Sequence, residues 1–151
     1  MILNGNTLIE VLPLKDLYTV HQRHERLKVF AQKGRECVIC DREGVLLLVT
    51  VDKGGGRHID LYTEDFVLIT VDHIVPKKIG KMLGWTRSQR EALSNKQPMC
   101  LPCNNKKGHS TETNEEFKAR VMQGGYPQVR KGVETIWQLV YNNNIFNREL
   151  A

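Results

Sequence analysis

The chain is 151 residues long, room for one domain with its own core, and its 40% hydrophobic and 26% charged residues suit a soluble globular protein rather than a disordered one. No apolar run approaches the ~20 residues of a membrane helix, and the opening MILNGNTLIEVLPLKDLY lacks the basic start, apolar stretch and small-residue cleavage site of a signal peptide. The expectation is therefore a cytoplasmic protein, and a net charge of +5, from 22 Lys and Arg against 17 Asp and Glu, favours a polyanionic partner.

In chain order, residues 7–12 (TLIEVL) read as a short strand ended by Pro13. VHQRHERLKVFAQKG, residues 20–34, predicts a helix with Leu27, Phe30 and Ala31 on one face and Gly34 as its C-cap. His21 and His24 lie one turn apart there and, lacking a further partner, read as surface histidines. GVLLLVTV, HIDLYT and FVLITV are strands separated by turns, so residues 45–71 form a hairpin or a three-stranded meander. DKGGGR lacks the Lys-Ser/Thr and the helix of a phosphate loop and is read as a hairpin turn, with Lys53 and Arg57 beside it open to a phosphate contact.

Beyond Pro76 the chain turns helical or irregular, and TRSQREALS, with Thr86 as N-cap, is the best helical stretch. CNNKKGH opens another helix. TNEEFKARVMQGG follows, capped by Thr113 or Asn114 and stopped by Gly124. Finally VRKGVETIWQLVYNN places Val133, Ile136, Trp137 and Val140 on one face, as core or as the contact of a homodimer.

The four cysteines form two C-x2-C pairs, Cys37 with Cys40 and Cys100 with Cys103. Two such knuckles are the usual way to present four thiolates tetrahedrally to zinc. Disulfides suit poorly a chain without a signal peptide that is large enough to fold unstapled, and a thioredoxin-like redox site has no use for a second motif. One structural Zn2+ is the expectation, tying together the two ends of the central region. Basic charge crowds the same region. Lys77, Lys78, Lys81, Arg87, Arg90 and Lys96 stand against the single acid Glu91, and Lys106 and Lys107 follow. Of these, Lys77, Lys78, Lys81, Arg87, Lys106 and Lys107 are the candidate phosphate contacts, a merely solvated basic face being the alternative.

Between the knuckles, VDHIVPKK (residues 71–78) ends a strand on Asp72 and His73. Asn95 stands five residues before Cys100, Asn104 directly follows Cys103, and Lys107-Gly108 comes next. Together these residues resemble the HNH endonuclease family in its zinc-bearing, four-cysteine branch, which reads as a C-x2-C knuckle, then D-H-I-x-P, an Asn, and C-x2-C-[HN]-x2-K. The resemblance spans residues 37–108. It implies an α+β fold with a ββα-metal (His-Me finger) core and a four-cysteine zinc site, flanked by helices and an inserted β-hairpin. The whole chain, 1–151, is then one domain, with residues 1–36 and 109–151 as extensions of the core.

The resemblance further implies His73 as general base toward the water that attacks a phosphodiester, and Asp72 and Asn104 as ligands of Mg2+ or Mn2+. Asn95 would fix the loop and orient His73. Independently, a base titrating near neutrality and a hard cation with oxygen ligands are what this hydrolysis asks for. Two departures stand out. The third signature residue is Asn104 where many relatives have histidine, an H-N-N variant that favours Mg2+ or Mn2+ over softer ions, and His109 sits poorly to replace it. The glycine-rich stretch after D-H-I-x-P is replaced by KKIGKMLGWTRSQREALS.

The expectation is a metal-dependent DNA endonuclease, with RNA left open as substrate, of the phage, mobile-element or restriction kind and at work in a bacterial or phage-infected cell. The rival readings are a non-catalytic, zinc-stabilised nucleic-acid-binding module and an assembly protein that uses zinc only to fold.

Overall fold

A computed structural model of the chain describes residues 2–20 and 23–124. The C-terminal stripe of Val133, Ile136, Trp137 and Val140, and with it the homodimer contact, lies outside the described residues, as does His21. Six strands form one antiparallel sheet ordered as in the chain: β1 (Ile2–Leu3), β2 (Asn6–Leu12), β3 (Leu46–Val51), β4 (Arg57–Tyr62), β5 (Leu68–His73) and β6 (Lys96–Cys100).

Local turn chemistry sets this meander. Asn4 and Gly5 join β1 to β2 at φ 51° and 85°, the left-handed pair whose twist suits a two-residue hairpin. Between β3 and β4 the Asp52 carboxylate accepts the amides of Gly54 and Gly56, each at 2.9 Å, which closes DKGGGR as a turn. The hairpin expected as an insertion is thus the middle of the sheet, continuous with β2 on one side and β5 on the other.

β3 is buried on both of its faces, which is why it is apolar without alternation. Its Leu47 joins Leu61, Ile69 and Met99 on one face, and its Leu46 and Leu48 join Leu3, Val11, Tyr62 and Phe66 on the other. The first face is roofed by α2 (Glu25–Lys33), through Leu27 and Phe30, and by α6 (Asn114–Gly124), through Phe117 and Val121. α2 starts at Glu25, later than the expected Val20, after the separate short α1 (Leu17–Val20). Gly34 caps it at φ 105°, its amide bonding Phe30 O at 3.0 Å.

After β5 the chain makes two short helices, α3 (Lys77–Met82) and α4 (Arg87–Arg90). Thr86 and Gln89 form a reciprocal capping box at the start of α4, but the helix stops at Arg90, short of the expected stretch. Gly80 lets the two helices approach, since a Cβ there would meet Arg90 Cγ at 3.0 Å. β6 then runs straight into α5 (Leu101–Lys107), with Pro102 in its first turn, where its missing N–H costs nothing.

Candidate active site and zinc centre

Four sulfurs meet where the first knuckle packs against the β6–α5 junction. Those of Cys37, Cys40, Cys100 and Cys103 all lie within 4.8 Å of one another, and Cys40 Sγ is 3.6 Å from Cys100 Sγ. Sulfurs ~2.3 Å from one tetrahedral zinc stand about 3.8 Å apart, so the cluster has the size of a single ion. Cys37, Cys100 and Cys103 are buried within the main core cluster.

Hydrogen bonds from Cys100, Cys103 and Cys40 hold the Cys37 thiol far below its ordinary range, whereas bonding to Cys100, Cys37 and Cys40 pushes Cys103 far above it. A divalent cation bound by all four sulfurs would displace their protons. Arg42, which the sequence reading passed over, extends Nη1 to Cys40 Sγ at 3.6 Å and Cys100 Sγ at 3.5 Å. Its positive charge would offset the excess negative charge of four thiolates around one divalent ion.

The second site lies along β5 and α5. Thr70 and Asp72, two residues apart, share a face of the strand, and Asn104 and Lys107, three apart, share a face of the helix. The two faces meet in register. Asn104 Nδ2 donates to Thr70 Oγ1 at 2.7 Å, and the Thr70 hydroxyl donates onward to Met99 O at 2.6 Å. Lys107 Nζ donates to Asp72 Oδ2 at 2.6 Å, and Gln97 Nε2 reaches the same oxygen at 3.0 Å. Gln97 is itself fixed by a two-way amide exchange with Asn114 at 3.0 and 2.9 Å. These contacts occupy Asp72 Oδ2 and the Asn104 amide nitrogen, and leave Oδ1 of each without a hydrogen bond among the described residues. Asp72 and Asn104 line a cleft of about 200 Å³ together with His73, Lys77, Lys78 and His109.

Asn95 is buried and clamps the turn after β5. Its Oδ1 accepts from Val75 N at 2.8 Å, while its Nδ2 donates to Val75 O at 3.1 Å and Arg90 O at 2.9 Å. The backbone adds Ile74 N to Asn95 O at 2.8 Å. His73 Nε2 meets Glu91 Oε2 at 3.2 Å, and the same carboxylate takes Lys77 and Lys96, each at 3.3 Å. Burial works to raise the Glu91 pKa, but hydrogen bonds from His73, Lys96 and Lys77 outweigh it and bring it down to about 2.

Residues 56–110 match the HNH endonuclease family model. The matched segment holds Asp72, His73, Asn95 and Asn104 with the second knuckle, and begins after Cys37 and Cys40. It supports nuclease activity on nucleic acid. Neither a curated protein nor a solved structure matches the chain significantly.

Asp72, His73 and Asn104 come together in one cleft, and the four cysteines come together in one cluster. Lys77, Lys78, Lys81, Arg87 and Lys106 are exposed. Lys107 is corrected: its side chain is 2% exposed and committed to Asp72, so it is no surface contact for a phosphate. His109 lies beyond the end of α5, off the helical face of Asn104. Gly108 turns the chain at φ 56° just past α5 and brings His109 to the cleft wall. Arg57 pairs with Glu10 at 3.5 Å. Among the described residues, no helix is long and apolar enough to cross a membrane.

Proposed function

We propose that this protein is a metal-dependent endonuclease that hydrolyses phosphodiester bonds in DNA. The observation carrying this reading is the cleft itself, which gathers Asp72, His73 and Asn104 within the HNH-matched segment, beside exposed Lys77 and Lys78. β5, β6 and α5 are then a ββα-metal core, the rest of the chain frames it as one domain, and the four cysteines hold a structural Zn2+ that keeps α5 in place.

Two free carboxylate and amide oxygens on one cleft suit a hard cation that keeps much of its water. Asp72 and Asn104 would hold Mg2+ or Mn2+, which supplies Lewis acidity toward the phosphoryl and leaving oxygens when bound. His73 takes the proton of the attacking water. Asn95 holds the turn that presents His73. Lys77 and Lys78 seat neighbouring phosphates, with Lys81, Arg87 and Lys106 extending the basic surface.

The test is plasmid nicking with Mg2+, Mn2+ or EDTA. His73→Ala should lose ~10²–10⁴-fold in rate while duplex affinity stays within about three-fold. Asp72→Ala should be partly restored by excess metal. A folded His73→Ala protein that cleaves at the wild-type rate refutes the assignment of the base, and DNA binding without cleavage in either metal leaves only a binding module. RNA and DNA duplexes of one sequence, compared side by side, fix the substrate.

A further inference from the structure

Glu91 is the one acid in the basic stretch between Lys77 and Lys96, and a like-charged surface for phosphates gains nothing from it. The structure nevertheless surrounds it with partners: His73 on β5, Lys77 at the start of α3 and Lys96 on β6. Lys96 lies directly across the ladder from His73, so two of the three partners sit side by side at the end of the sheet. Glu91 itself is the residue after α4, and the carbonyl of Arg90 immediately before it accepts from Asn95 Nδ2 at 2.9 Å. The same Asn95 side chain grips Val75, two residues past His73. One buried amide thus clamps the backbone on both sides of the His73–Glu91 contact.

We propose that Glu91 is a positioning residue for the reaction, holding the His73 ring so that Nε2–H donates to its carboxylate and Nδ1 is the nitrogen that accepts the proton. This rests on the reading of His73 as general base. A neutral imidazole has one donor and one acceptor nitrogen, and a carboxylate on one of them selects the tautomer and fixes the ring. Lys96 and Lys77 hold the carboxylate against rotation and keep it ionised. Glu91 touches neither substrate nor ion in this scheme. Its negative charge beside Lys77 also weakens the pull on DNA, so the two effects of removing it have opposite signs.

That opposition makes the test. In the full-length protein, Glu91→Gln keeps the shape and removes the charge. Single-turnover cleavage should fall about 10–10²-fold, less than for loss of the base itself, while duplex affinity of the zinc-loaded protein without added Mg2+ or Mn2+ rises a few-fold because one anion has left the phosphate surface. Hydrolysis of bis(p-nitrophenyl) phosphate, which needs no duplex surface, should fall by the same factor as DNA cleavage. Glu91→Asp, which restores the carboxylate on a shorter stem, should recover part of the rate.

Wild-type cleavage by Glu91→Gln, when His73→Ala is inactive, overturns the positioning role and leaves the base intact. Faster cleavage with tighter binding makes Glu91 a brake and also overturns it. A fall in rate, affinity and thermal stability together would make Glu91 merely structural. If His73→Ala itself cleaves normally, the reading of the base has failed beneath it.

Discussion

Lys107→Met offers the sharpest structural test of the cleft. In the wild-type chain the Lys107 side chain is 2% exposed and Asp72 5%, with Nζ 2.6 Å from Oδ2. An exposed ion pair contributes only ~0–1 kcal/mol, but removing one partner of a buried pair leaves an uncompensated charge and costs ~3–5 kcal/mol. Methionine keeps most of the volume and removes the ammonium, together with its contacts to His73 O at 3.2 Å and Ile74 O at 3.4 Å. Gln97 stays on Asp72 Oδ2 but supplies a dipole in place of a charge. For a chain of this length the cost should appear as a fall in melting temperature of about 6–20 °C in zinc-loaded protein without added Mg2+ or Mn2+. Urea unfolding of zinc-loaded protein measures the same quantity at 25 °C. The double variant Asp72→Asn with Lys107→Met removes both charges and should recover most of the loss. Mg2+ or Mn2+ should raise the melting point of Lys107→Met more than that of wild type, because the stranded carboxylate is the proposed ligand. A Lys107→Met protein within about 1 kcal/mol of wild type would refute the buried pair and, with it, the register of α5 on β5.

Elemental analysis should find one zinc per folded, reduced chain, and Cys→Ser at any of the four ligands should lower stability before it alters chemistry; a folded, metal-free preparation would sink the four-thiolate centre. Duplex affinity should fall steeply between 50 and 200 mM salt, with ~10-fold or smaller losses for neutralising Lys77, Lys78, Lys81 or Arg87 singly, as filter binding or anisotropy would read. A flat salt profile would remove this face from DNA binding. Acid should also act through Glu91. Its folded pKa, about 2, lies below the ordinary 4.5, so its contribution to stability is full above pH 4.5 and is lost as pH falls toward 2. Glu91→Gln should flatten that part of the pH–stability curve, and an unchanged curve would mean the carboxylate holds nothing in place.

The chemistry-bearing residues of the cleft were legible because each sits in a short local pattern: Asp72-His73 before a proline, and Asn104 directly after a knuckle. Their partners were not, because tertiary contact alone makes them partners. Lys107 reads as a surface cation, since lysine is seldom buried unless paired, and its pair lies 35 residues away. Glu91 reads as a diluting charge until α4 delivers it to His73. KQPMC, with a proline inside, reads poorly as a strand, yet β6 is the last strand of the sheet, and an edge position tolerates a residue without an N–H. One signal stood in plain view: Asn4-Gly5 is the dipeptide a type I′ hairpin asks for, and it makes the β1–β2 turn.

The two cysteine knuckles also set a timetable. Cys40 and Cys100 are 60 residues apart in the chain, so at ~5–20 residues per second a ribosome spends about 3–12 s between them. During that interval the first knuckle holds only half of its metal site. β3, β4 and β5 lie wholly between the knuckles and pair with one another through neighbouring hairpins, which close in microseconds. These three strands can therefore be paired before β6, which itself carries Cys100, arrives. A zinc ion at the knuckles would then close a loop whose strands β3 to β5 are already paired, and the entropy lost in bringing the knuckles together would be smaller than for a free 60-residue chain.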